Sequence, residues 1–329
     1  MERKRIVSGI RPTGDLHIGH YLGVLKNWAE LQKEYQCFYF IADWHALTSE
    51  YRDPSIIRSS SRDIVITWLS IGIDPKESVL FRQSDIKSHA ELFTLLTMIT
   101  PLAWLERNPT YKEIKEELKE KDLSTFGFLG YPVLQAADIV IYNADRVPVG
   151  EDQLPHLELT REIVRRFNFV YGEGTLKEPK EILTEAARVL GIDGRKMSKS
   201  YNNSILICES KDSLKQKVMQ MLTDAKRMRR SDPGEPKDCN LYPLHEYFTD
   251  EGKREEIQSG CRSAGLGCVD CKKILLTNLI TEFEPIWEKI AYYRGHESMV
   301  DEILAEGDRR ATAESAITMD RVRAAMKLS

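Results

Sequence analysis

Hydrophobic and polar positions follow two different rhythms along this chain. In the first half, short runs of apolar and β-branched residues stand between stretches with helical spacing. Residues 5–10 (RIVSGI) predict a strand closed by the Pro12-Thr13-Gly14 turn. A helix is predicted from about Gly19 to Glu34, with apolar Leu22, Leu25, Trp28 and Leu31 at three-residue steps. The continuous apolar run 37–42 (CFYFIA) predicts a strand covered on both faces, as in parallel sheets. A helix over 55–71 and a strand over 78–83 come next. Compact apolar runs at 136–142 (AADIVIY) and 146–149 (RVPV) then bound a turn at Asn143 to Asp145, and 151–168 reads as helical. Strands alternating with helices predict an α/β fold with a doubly wound parallel sheet. Such sheets bind ligands beyond the carboxyl ends of their strands, where the strand order reverses.

From about residue 211 the strand rhythm stops. Helical segments are predicted at 211–222, 272–290, 298–306 and 308–327. The expected division is 1–194 for the α/β domain, 195–207 for a loop and connector, and 208–329 for a C-terminal all-helical region. Its last helix is expected to pack back on the first domain.

Length and charge narrow the class. With 329 residues, a two-domain chain is expected. Lys+Arg 47 against Asp+Glu 51 gives a net charge of −4, so a polyanion partner has to use a local patch. The patch is present: residues 211–230 hold seven Lys or Arg and two Asp, a net of +5, with Lys226, Arg227, Arg229 and Arg230 adjacent enough to track a phosphate backbone. No apolar run approaches the ~18 residues of a membrane span, and the start MERKRIVSGI carries no signal-type apolar stretch. The expectation is a soluble, cytoplasmic protein with no membrane partner.

Six cysteines in such a chain predict reduced thiols or metal ligands. Cys37 and Cys208 stand alone, whereas Cys239, Cys261, Cys268 and Cys271 share the spacing C-x21-C-x6-C-x2-C. Four thiolates point to zinc or an iron–sulfur cluster. Only one C-x2-C knuckle is present, and three close ligands with a distant fourth suit [4Fe–4S] better, but spacing alone leaves both open.

Two segments carry candidate chemistry. The first is S-G-I-R-P-T-G-D-L-H-I-G-H, from Ser8 to His20. Gly9 and Gly14 permit close backbone approach, and His17 and His20, three apart, face one side of a forming helix whose start favours an anion. An isolated His-x-x-His is ordinarily a surface loop. The second is Lys196-Met197-Ser198-Lys199-Ser200, which follows Gly194 and Arg195. Two lysines on a flexible approach suit a polyphosphate, although five residues alone are more often a solvated basic loop.

Together, in this order and at this separation, the two segments resemble the paired signatures of the class I aminoacyl-tRNA synthetases. Tyr131 to Asp138 (YPVLQAAD), Val147 to Gln153 (VPVGEDQ) and His156 to Glu162 (HLELTRE) extend the resemblance to the tryptophanyl-tRNA synthetases over essentially the whole chain. The resemblance implies activation of L-tryptophan by ATP with release of pyrophosphate, then transfer to tRNA(Trp), with Mg2+ sharing the phosphate charge. It implies roles for His17, Gly19 and His20 at ATP, for Lys196 and Lys199 at the leaving pyrophosphate, and for Gly150, Glu151 and Asp152 at the ribose. Pro12, Thr13, Met197, Ser198 and Ser200 complete the nucleotide contacts, with Arg11 and Lys112 at phosphates and Val189 at the adenine.

By the same resemblance Asp138 receives the indole N–H, a role that suits a carboxylate inside an apolar run, because an acceptor left unpaired there rejects analogues lacking the donor. Tyr131, Gln135 and Gln153 would hold the α-amino group or neighbouring atoms, Val147 and Val149 would wall the ring, and Gly9 and His45 would line the pocket. Gln135 departs from the Met common in bacterial tryptophanyl enzymes, and tyrosyl enzymes favour Gln there, so tyrosine is the alternative substrate. A subset of the family carries a C-terminal [4Fe–4S] cluster on C-x22-C-x6-C-x2-C. Here the first gap is one residue shorter, which makes Cys239 the ligand most in question. The family also implies a homodimer bridged by tRNA.

Overall fold

The computed structural model describes residues 3–117, 122–184, 189–198 and 201–328, without the side chains at 114, 115 and 117. The chain forms two compact units that interleave in sequence. One comprises Met1–Gly14, Asn27–Ala186 and His296–Ser329, the other Asp15–Lys26 and Ala187–Gly295. Against the linear division 1–194, 195–207 and 208–329, the segment Asp15–Lys26 sorts with the helical residues and the last helix with the sheet.

The first unit is built on five parallel strands: β1 (Arg5–Ile10), β2 (Gln36–Ile41), β3 (Ser78–Arg82), β4 (Arg146–Val149) and β5 (Lys180–Leu183). Their order is β3-β2-β1-β4-β5, with β1 against β2 in register from Arg5↔Gln36 to Ile10↔Ile41 and β1 against β4 at Ile6↔Arg146. The order reverses between β1 and β4, so the carboxyl ends of these two strands mark the switch point where such sheets bind ligands.

Side chains alternate across each strand, and in β2 both faces are covered. On one face Tyr39 stacks on Trp28 at 4.1 Å, with Trp68 edge-on to Trp28 at 5.4 Å. On the other, Phe38 and Phe40 join Val7, Phe81, Val133, Phe167 and Met319 in the main core. That double burial is why the run at 37–42 has no polar alternation.

The apolar run 136–142 is not a segment of its own. It is the end of the helix Phe126–Val140, capped by the Thr125 side chain accepting from the Phe128 amide. Eleven of its residues are buried, so it shows no polar stripe to mark it as helical. The segments at 298–306 and 308–327 are one helix, Glu297–Ala325. Gly307 does not break it. A Cβ there would lie 1.7 Å from the Leu80 carbonyl oxygen, so the helix crosses β3 in backbone contact. Asp308 accepts the Arg82 amide at 3.0 Å and Arg310 donates to the carbonyl oxygens of Pro75 and Ser78. The edge strand is thereby covered.

In the second unit Leu16 and Ile18 form a short extended pairing with 205–207: the Ile18 amide donates to Ile205 O at 2.9 Å and the Ile207 amide to Leu16 O at 2.8 Å. A π-turn, Tyr21–Leu25, interrupts the helical run expected over 19–34. The helices Lys211–Gln220, Tyr242–Phe248, Glu251–Arg262 and Cys268–Arg294 complete this unit. The Tyr21 hydroxyl donates to Glu282 at 2.6 Å and Trp287 Nε1 to Ile207 O at 2.8 Å, which ties the longest of them to both segments of chain. Among the described residues no helix is long and apolar enough to cross a membrane.

Candidate active site

In the first unit, Tyr131, Gln135 and Asp138 recur at steps of four and three along the helix Phe126–Val140 and its end carries Tyr142, so the four share one stripe. Asp138 is 1% exposed and fully engaged. His45 Nε2 lies 2.8 Å from its Oδ2 and His89 Nδ1 2.6 Å from its Oδ1, while Gln83 Nε2 donates to both oxygens at 2.8 and 2.9 Å. Burial alone pushes this carboxyl up, but the hydrogen bonds and charges of His45 and His89 outweigh it and hold Asp138 below the usual carboxylate range. Gln83, His89 and Tyr142 were not expected from the sequence. They come from a turn after β3, the start of the helix Ser88–Thr97 and an apolar run, and only the fold brings them together.

A second network links two residues expected at the amino group. The Tyr131 hydroxyl meets His156 Nε2 at 2.9 Å, His156 Nδ1 meets Gln153 Oε1 at 3.2 Å, and Gln153 Nε2 donates to Asp152 at 2.9 Å. Burial, and then His45, push His156 down to about 4, so the ring is neutral. Gln153 Oε1 accepts only, which puts the ring proton on Nδ1 and makes Nε2 the acceptor of the Tyr131 O–H. The Tyr131 and His45 rings lie nearly perpendicular with centroids 6.4 Å apart, so the two networks adjoin.

The switch point itself carries Gly9, Arg11, Val147, Val149 and Gly150. A Cβ on Gly9 would lie 2.5 Å from the Phe40 ring, so the fold itself requires glycine there. Arg11 donates to Ser49 Oγ, and its Nε is buried without a hydrogen-bond partner. A buried guanidinium N–H in that state calls for an anion. Pro12 is buried and Thr13 half-buried after it, Gln135 is half-buried on its helix, and Val147 and Val149 are buried at the end of β4. The Thr110 hydroxyl donates to the Asp152 carbonyl at 3.1 Å, joining the Gly150–Gln153 turn to the helix Pro109–Glu117, on which Lys112 is exposed.

The second unit brings the two signature segments together. His17 Nδ1 accepts the Gly19 amide at 3.1 Å and His20 Nδ1 accepts the His17 amide at 3.2 Å. With Nδ1 engaged as an acceptor, each neutral imidazole carries its proton on Nε2. The rings lie 3.8 Å apart, and a Cβ on Gly19 would meet the His17 ring at 2.9 Å. Val189 stands beside Gly19, and Leu190 bridges to Lys196. Asn203 binds the loop from within: Nδ2 donates to Asp193 at 2.7 Å and to the Lys196 carbonyl at 3.2 Å, and Oδ1 accepts the Ser198 amide at 2.8 Å. Lys196 is exposed and Met197 buried. Lys199 and Ser200 lie outside the described residues.

Cys239, Cys261, Cys268 and Cys271 line one cavity of about 400 Å3, its open mouth included, together with Arg227. Burial, then the neighbouring thiols, push Cys271 up to about 12. A metal ion or cluster held there would displace these protons. Among the described residues no three His, Cys, Asp or Glu side chains gather closely enough to hold one metal ion. The basic patch is partly neutralised, with Lys226 paired to Asp238 at 2.5 Å and Arg230 near Asp270 at 3.9 Å, while Arg227 turns to the cysteine cavity and Arg229 is exposed.

Residues 1–284 match the model of the class I tRNA synthetases for W and Y. The chain is 52% identical over 326 residues to a tryptophan–tRNA ligase of Thermotoga maritima, covering 98% of this chain and 99% of that protein. It is 45% identical to a tryptophan–tRNA ligase of Ralstonia nicotianae, with 99% of each covered. The crystal structure of the Campylobacter jejuni tryptophanyl-tRNA synthetase complexed with ADP and tryptophan superposes with a TM-score of 0.89 at 35% identity, covering 98% of this chain and 100% of that one.

Proposed function

The chain belongs to the class I tRNA synthetases of the tryptophan and tyrosine branch, and from that membership we infer which residues carry each step of its reaction. The reaction is tryptophan–tRNA ligation: L-tryptophan and ATP give tryptophanyl-adenylate and pyrophosphate, and the tryptophanyl group passes to tRNA(Trp). Tyrosine, the alternative left open by Gln135, gives way to the identity shared with tryptophan–tRNA ligases over nearly the whole chain.

The roles of individual residues are our proposal. In the second unit His17 and His20 offer Nε2–H donors, and Gly19 and Val189 an open apolar edge, to the nucleotide. Lys196, with Met197, Ser198, Lys199 and Ser200, neutralises the departing pyrophosphate. In the first unit Gly150, Glu151 and Asp152 hold the ribose, and Arg11, Pro12, Thr13 and Lys112 meet phosphate oxygens. Asp138 receives the indole N–H, Tyr131, Gln135 and Gln153 hold the α-amino group, and Gly9, His45, Val147 and Val149 enclose the ring. Mg2+ would share phosphate charge. Catalysis of this kind rests on positioning and charge neutralisation, since the substrate carboxylate is itself the nucleophile.

We also propose that Cys239, Cys261, Cys268 and Cys271 hold a [4Fe–4S] cluster. The four thiols lining one cavity, with the C-x6-C-x2-C spacing and a distant fourth cysteine, support that choice. Bound there, it would cross-link the turn Pro236–Asp238 to the helices Glu251–Arg262 and Cys268–Arg294. Beside it Lys226, Arg227, Arg229 and Arg230 would meet tRNA, in a cytoplasmic homodimer.

The observation that carries the catalytic reading is the joining of both signature segments in one unit, through the pairing of 16–18 with 205–207 and the contact of Val189 with Gly19. ATP–pyrophosphate exchange with tryptophan and tyrosine in parallel tests it. Exchange with tryptophan alone is expected, and silence with both would overturn it.

A further inference from the structure

We infer that His89 and Tyr142 are positioning residues for amino-acid selection, fixing from behind the carboxylate that receives the indole N–H. This rests on the role proposed above for Asp138.

The argument begins with hydrogen counting. A carboxylate only accepts, so His89 donates from Nδ1 to Asp138 at 2.6 Å. On the other side of the ring, Nε2 lies 2.7 Å from the Tyr142 hydroxyl and is hydrogen-bonded to it. The chain therefore runs from Tyr142 through both nitrogens of the His89 ring to Asp138. Gln83 is fixed likewise: its Oε1 accepts the Trp44 amide at 3.1 Å, which turns its NH2 towards Asp138. His89, Gln83 and Tyr142 are each 0% exposed, sealed among Phe38, Phe40 and Phe81.

The donors fall into two classes. A carboxylate has about four acceptor positions, and these bonds fill them. An arriving indole N–H must therefore replace a donor. Gln83 and His89 have no room to leave, whereas His45, 9% exposed and beside Tyr131, lies at the margin of the set. The sealed donors thus decide which way Asp138 Oδ2 points when the exchange occurs. Selection for an N–H depends on that direction, because an acceptor tilted off line loses the donor's advantage over an isostere that lacks it.

The test uses tryptophan and its isostere 3-benzothienylalanine, in which sulfur replaces the N–H, in ATP–pyrophosphate exchange. The readout is the ratio of their kcat/KM values for the intact protein and for Tyr142→Phe and His89→Leu. Tyr142→Phe deletes one hydroxyl and keeps the ring packing, so it reports even if His89→Leu fails to fold. The ratio is expected to fall about tenfold in Tyr142→Phe, through a raised KM for tryptophan with the KM for ATP unchanged. A role in stability alone would depress both substrates together, and an unchanged ratio in Tyr142→Phe overturns the inference. If the wild-type protein itself does not discriminate, the assignment of Asp138 falls first. If it shows no exchange with tryptophan at all, the catalytic reading falls.

Discussion

The Tyr131 hydroxyl donates to Nε2 of His156 across 2.9 Å, and a ring buried by its surroundings carries that bond only while it is neutral. Tyr131 and Gln153 lie 22 positions apart in sequence, and among the described residues His156 is the side chain that bonds both. The amino-group end of the site is therefore organised by a residue that touches no substrate in the proposed reading.

That arrangement predicts a pH-dependent stability. The folded pKa of His156 is about 4, against an unfolded value of ~6.5. Between them the unfolded chain binds more protons, so stability contributed by the neutral ring is complete above pH ~6.5 and is lost as pH falls towards 4. The gap is worth roughly 3 kcal/mol. Urea unfolding of the wild type and His156→Gln at several pH values should show their stability difference changing by about that amount. A constant offset would refute the assignment.

Asp138→Asn has a two-part consequence. An amide presents an N–H where His45, His89 and Gln83 all present donors, leaving at least one buried donor facing another. Stability should fall by about 1–3 kcal/mol in thermal or urea unfolding. Exchange with tryptophan should fall about 100-fold in kcat/KM. Loss of stability with exchange intact would remove Asp138 from the substrate and leave it a role in the fold alone.

Asn203 gives a test in the other unit. Its amide joins Asp193, Lys196 and Ser198, and a Cβ on Gly191 would lie 2.3 Å from that amide. Asn203→Ala and Gly191→Ala should therefore give the same phenotype, a loosened lysine loop. About tenfold loss of kcat in exchange is expected, with faster tryptic cleavage after Arg195 and Lys196. Unequal effects of the two substitutions would count against a shared latch.

The cysteine site predicts composition. Protein purified without oxygen should contain about four iron atoms and matching sulfide per chain, and Cys271→Ser should lose both together with thermal stability. A single zinc per chain would replace the cluster in this reading.

How much of this was legible in the sequence depended on burial. β2 is a continuous apolar run, β1 and β3 carry shorter apolar stretches, and all three fall within a residue or two of their predicted bounds. β5 is Lys-Glu-Ile-Leu, half-exposed at the sheet edge, and carries no strand signal. The helix Phe126–Val140 was hidden for the opposite reason, since it is buried nearly all round. His17, His20 and Lys196 stand in short, spaced motifs that local chemistry explains. Gln83, His89, Tyr142 and Asn203 are ordinary residues in a turn, a helix start, an apolar run and a loop, and act through partners between 5 and 55 positions away.

Gly307 lies between the predicted segments 298–306 and 308–327, and its place within one helix yields a prediction of stability. The helix Glu297–Ala325 passes β3 so closely that an added methyl group would meet the Leu80 carbonyl oxygen at 1.7 Å. That oxygen belongs to a strand hydrogen-bonded into the sheet, so it cannot swing aside as a side-chain tip would. Helix propensity works the other way, since alanine in a helix interior is favoured over glycine by about 1 kcal/mol. The clash should win: moving a helix off a packed core costs typically 1–3 kcal/mol, occasionally more. It would also stretch the bonds of Asp308 to the Arg82 amide and of Arg310 to the carbonyls of Pro75 and Ser78. Gly307→Ala is therefore expected to lower the unfolding free energy by about 2 kcal/mol in urea titration, whereas Ala305→Gly, two residues earlier on the exposed face, should cost only the propensity term. A Gly307→Ala protein more stable than the wild type would show that the helix does not run against β3 in backbone contact.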